Sequence, residues 1–162
     1  MRTDPPGLVD PGTTGARGLF QVSLLCLAVV VAGFGMNVGL GRVHASDYPW
    51  YTHVHVAILC SWMLLSVAQP WLIVRGDRAL HRMLGWAGVA LIVAVGLSGI
   101  VNTMLAVAAG RMRPGAIFMA INLLTVAVFW SLAVAAIVLR RRSAWHARLI
   151  ASATRCVSSA SA

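Results

Sequence analysis

Four apolar runs, at about 19–40, 51–74, 83–109 and 116–139, constrain this chain more than any other feature of its sequence. A hydrocarbon core of about 30 Å is crossed by roughly 20 helical residues rising ~1.5 Å each, so every run can span. Backbone groups in lipid find no water, which leaves helices or closed barrels as spanning structures. Runs this long, without alternation, are not barrel strands. The segments 75–82 and 110–115 are too short for anything but up-and-down neighbours. The expected fold class is therefore all-α: a polytopic transmembrane bundle of four antiparallel spanning helices, with a short C-terminal fifth helix that is interfacial or incomplete.

Charge supports the same surroundings. Only 10% of residues are charged and 59% are apolar, whereas a soluble domain carries about a quarter charged residues. The net charge of +9 comes from arginines set against Asp4, Asp10, Asp47 and Asp77, with no lysine or glutamate. A nucleic-acid binder can show that balance, but here the arginines sit in alternate flanks of the apolar runs. Arg2, Arg17, Arg75, Arg78, Arg82, Arg140, Arg141, Arg142, Arg148 and Arg155 share one side, and Arg42, Arg111 and Arg113 the other. The positive-inside rule puts the first set, and the N-terminus, in the cytoplasm. Tyr48, Trp50 and Tyr51 then mark the outer interface, and Trp71, Trp86 and Trp145 the inner one. The expected location is a bacterial inner (plasma) membrane. The partner at the arginine-rich face is anionic lipid headgroups, at ~1 kcal/mol per arginine, and not nucleic acid.

Residues 1–18 hold prolines and glycines without apolar periodicity, so a disordered cytoplasmic tail is expected ahead of a four-helix domain over 19–142. Val43-His44-Ala45 resembles the pattern before a signal cleavage site, yet the first run exceeds the ~7–15 apolar residues of a secretory signal, and a retained helix is expected. Pro70 is expected to bend the second helix. Beyond Arg142 a helix opens and then gives way to Ser, Thr, Arg and Ala. Residues 143–162 are thus expected to lie along the inner surface, or to be a spanning helix cut short.

Cys26, Cys60 and Cys156 form no C-x-x-C pair, so neither a disulfide framework nor a cysteine metal site is indicated. Gly35 and Gly39 form a G-x-x-x-G pair, expected to pack within the bundle, with a homo- or hetero-oligomer contact as the alternative. Asn37, Asn102, Asn122 and Gln69 are expected to bond between helices. No charged residue interrupts a run, which argues against a carboxylate relay. A channel or permease lined by Asn102, Asn122 and Gln69 stays open as a third reading.

The chemistry, if there is any, rests on five histidines. His53 and His55 open the second helix about 200° apart, so at most one can face the bundle interior. His81 and His146 each begin a helix at the arginine-rich end, in Leu80-His81-Arg82-Met83-Leu84 and Trp145-His146-Ala147-Arg148-Leu149. These elements, extended as His81-Arg82-Met83-Leu84-Gly85-Trp86 and with His53-Val54-His55 leading the second helix, resemble those of bacterial multi-pass inner-membrane families of domain-of-unknown-function type. The likeness covers roughly 48–151. It departs where such families continue into another apolar run. It implies membrane class and supplies no activity. A more distant similarity is to cytochrome b561-like bundles, in which histidines of neighbouring helices clamp haem near each face. That similarity implies haem b on His81 with His146 inside, and on His53 or His55 with His44 outside. The first expectation is a non-enzymatic membrane protein, a subunit or packing partner in a larger assembly. The alternative is a b-type haem electron carrier using His81 and His146.

Overall fold

The computed structural model describes residues 11–112 and 114–160, with the side chains of 11–14 and 157–160 left aside. Five α-helices follow one another: α1 (Pro11–Gly39), α2 (Trp50–Val74), α3 (Arg78–Ala108), α4 (Gly115–Val138) and α5 (Ser143–Ala160). No strand occurs among the described residues. Four segments, Gly15–Gly39, Trp50–Val74, Arg78–Ala108 and Gly115–Val138, are long and apolar enough to cross a membrane. The all-α bundle is as expected, while two boundaries differ.

The first difference is at the start. Residues 11–18, expected in the tail, belong to α1. Pro11 is its first residue, where a missing N–H costs nothing because the first four helical donors have no intrahelical partner. Residues 1–10 of the expected tail lie outside the described residues. The second difference is α5, which continues for 18 residues instead of dissolving after 151. It packs against α4, α1 and α2. Its Ala153 and Thr154 are buried, so α5 is a wall of the bundle and not a helix lying flat on its surface. Serine, threonine and alanine are what a close helix contact in lipid requires.

Each helix touches the next in sequence, and α5 closes the circle onto α1. Trp62 and Met63 of α2, Ile92 and Val95 of α3, Phe129 and Ala133 of α4 and Ala153 of α5 fill the centre. Trp62 meets Phe129 edge to face, with ring centroids 5.5 Å apart.

The turn between α2 and α3 fixes the geometry that matters most. Gly76, at φ 79°, lets Asp77 N return to Leu72 O (2.9 Å) and Gly76 N to Ile73 O (3.0 Å). This is the glycine-terminated stop that satisfies orphan carbonyls. Asp77 then caps α3, accepting from Leu80 N at 2.9 Å. Such a cap is worth ~1 kcal/mol. One helix ends and the next begins within three residues, which sets the first turn of α3 beside the last turns of α2.

Candidate functional site

One face of α2 carries Thr52, His55, Trp62, Ser66 and Gln69, whose spacings of three, seven, four and three residues keep them within about 100° of one another. Their partners lie on other helices. Thr52 donates to Asn102 Oδ1 at 2.9 Å, His55 Nδ1 meets Ser98 Oγ at 2.9 Å, and Ser66 meets Thr154 of α5 at 3.3 Å. Gln69 faces His81 of α3. Asn102 therefore joins helices through its side chain, as expected, whereas Gln69 meets α3 through its backbone oxygen. Asn37 and Asn122 do neither: each donates to the carbonyl four residues back on its own helix, Gly33 O and Phe118 O, both at 2.9 Å. A short amide can satisfy itself this way without a partner helix.

At the arginine-rich end a cavity of about 960 Å³ opens among all five helices. His81 and His146 both line it, together with Gln69, Gly85, Gly88 and Trp62. His81 Nδ1 lies 3.3 Å from the backbone oxygen of Gln69, and His146 Nδ1 lies 2.8 Å from that of Ala136. A carbonyl can only accept, so the His146 proton sits on Nδ1 and its Nε2 lone pair is left for a ligand; His81 has the same tautomer when the Gln69 backbone oxygen is its Nδ1 partner. Ala136 belongs to the last turn of α4, whose carbonyls lack helical partners, so His146 also terminates that helix. The Gln69 side-chain amide lies against the same His81 nitrogen. Turned with its nitrogen toward the ring, it would instead donate to Nδ1, and its oxygen would accept from Gly85 N at 3.2 Å. Gln69 is therefore the residue through which the His81 tautomer is set.

Several features of this cavity suit a cofactor that takes two imidazole ligands. The cavity volume falls within the ~300–1,000 Å³ range of cofactor sites. Two imidazoles on different helices line it, each with Nδ1 at a backbone carbonyl oxygen, the kind of contact that orients ligating histidines. Gly85 leaves open space where a Cβ would stand, and a Cβ at Gly88 would approach Leu65 Cδ2 at 3.3 Å. The indole N–H of Trp62 is buried and has no hydrogen-bond partner among the described residues. No group of three or more metal-ligating side chains occurs among those residues.

The opposite end is different. His55 faces α3, with Ser98 and Gly99 against its ring, while His53 is exposed. The helical period thus sends one inward and one outward. His44 sits exposed in the loop after α1, its ring near Gly41. The smaller cavity there, about 320 Å³ between α2 and α3, is lined by none of the three. Among the described residues no hydrogen bond or shared cavity joins His44 or His53 to His55.

Gly35 and Gly39 depart from the expectation of packing within the bundle. Both are exposed, and nothing lies within 4 Å of where a Cβ would stand. Sequence reasoning also missed Trp62. Its place one turn before Ser66 on the α2 stripe was the available signal. No family model matches this chain, and neither a curated protein nor a solved structure is found similar to it.

Proposed function

We propose that this chain is a multi-pass protein of a bacterial inner membrane that holds one haem b at its cytoplasmic, arginine-rich end and passes single electrons. The observation that carries this reading is the convergence of His81 and His146 on one cavity with both Nδ1 positions engaged by carbonyl oxygen. Haem, when bound, supplies a one-electron iron couple tuned by its axial ligands and the polarity around them. The chain's part is to hold two Nε2 lone pairs in place, to surround the site with apolar side chains, and to keep one edge open. His81 is held through α2 by Gln69, and His146 through the end of α4 by Ala136. The arginine count supports the orientation, with the N-terminus inside.

The test is a reduced-minus-oxidised absorption spectrum of the detergent-purified protein after haem-replete expression. The expected result is a low-spin spectrum with two imidazole ligands, which His81→Ala and His146→Ala each abolish and which His53→Ala and His55→Ala leave in place. Colourless protein, or bands that survive both of the first two replacements, would end the reading. A second reading, a subunit that meets a partner helix through Gly35 and Gly39, is supported by the exposure of both glycines. It is compatible with the first.

A further inference from the structure

The axial pair leaves three charges at the same cavity unused. Arg78 comes from the first turn of α3, Arg140 follows the end of α4, and Arg148 stands in the second turn of α5. All three line the cavity with the two histidines, and no Asp or Glu does. All three are exposed, and none has an ion pair or side-chain hydrogen bond among the described residues. The remaining lining is largely apolar, with Trp62, Leu65, Val89, Ile92, Ile137 and Ile150 contributed by four helices. The cavity is therefore amphipathic: an apolar interior and a rim of guanidinium groups. Charges of one sign grouped at one mouth repel each other, and a planar guanidinium pairs best with a carboxylate, through two parallel bonds.

We infer that the rim is a carboxylate-binding site that orients a porphyrin dicarboxylate with its acidic edge against Arg78, Arg140 and Arg148 and its apolar body inward. The identity of the ligand rests on the haem reading. The role of the arginines does not, because it needs no iron. A long-chain fatty acid offers the same chemistry, a carboxylate on an apolar body, so the experiment separates the two sources.

Metal-free protoporphyrin IX and its dimethyl ester are titrated into the full chain in nanodiscs of neutral lipid, with porphyrin fluorescence as the readout and oleate as competitor. The diacid should bind at least about tenfold more tightly than the diester, as expected for charge-assisted pairing. Arg148→Gln should reduce that ratio several-fold, and the triple variant Arg78→Gln/Arg140→Gln/Arg148→Gln should bring it near one. The triple variant keeps Arg75, Arg82, Arg141 and Arg142 as topology signals, and the single variant guards against misinsertion. Equal binding of diacid and diester, or a preference untouched in both variants, overturns the inference. Displacement by oleate at concentrations matching the porphyrin also overturns it, in favour of a lipid-carboxylate site. Failure of axial ligation is read separately, in the haem spectrum.

Discussion

Gly96 and Trp130 show what the lack of one methyl group permits between two of these helices. The Trp130 ring lies against Gly96, where a Cβ would overlap it, and the indole N–H donates to Ile92 O at 2.9 Å. Gly96→Ala should cost about 1–3 kcal/mol through overpacking. The penalty should shrink when Trp130 is also replaced by Leu, and thermal unfolding in detergent would measure both. Gly85→Ala, at an open position, should be near neutral in the same assay. At Gln69 the consequence concerns the site and not stability. Gln69→Leu removes a side-chain amide that can donate to His81 Nδ1 and keeps the backbone oxygen that accepts from it, so on the haem reading the Nε2 lone pair is freed and haem affinity should rise. An unchanged affinity in a haem titration would remove Gln69 from that role. Residues of this kind were only partly legible in the sequence. The helical period alone separates His53 from His55, because it is a local rule. The pairing of Gly96 with Trp130 is long-range, and nothing near either residue announces it.

At the scale of elements, apolar length is the legible quantity. The second, third and fourth runs match α2, α3 and α4 to within a residue, apart from the start of α3. There the polar turn 78–82 is helical because Asp77 caps it. Both ends of the chain were harder to read for one reason: their helices are made of residues that composition assigns to loops. In α5 those small residues are the contact surface. Ala153, Ala133 and Ala136 are fully buried, with 0% exposure, so α4 and α5 approach without large side chains between them. Ala153→Leu should push α5 outward. The expected loss is about 1–3 kcal/mol of stability, together with weaker haem retention, because His146 rides on the same helix. Thermal unfolding and haem titration of the one variant would show whether the two losses occur together.

For the whole molecule the decisive issue is which end faces which compartment. The arginine bias predicts that Ser46→Cys, in the loop before α2, reacts with a membrane-impermeant maleimide in intact cells, while Arg141→Cys reacts only after permeabilisation. Labelling of both in intact cells, or of neither after permeabilisation, would contradict the four-span arrangement. The ring of helices, closed by contact of α5 with α1 and α2, also has a temporal side. The histidine of α5 is among the last parts of the bundle to leave the ribosome, after the four apolar helices have been synthesised. A pocket whose final wall arrives so late cannot be filled during synthesis of the earlier segments. On the haem reading, loading therefore follows assembly, through the arginine-lined mouth.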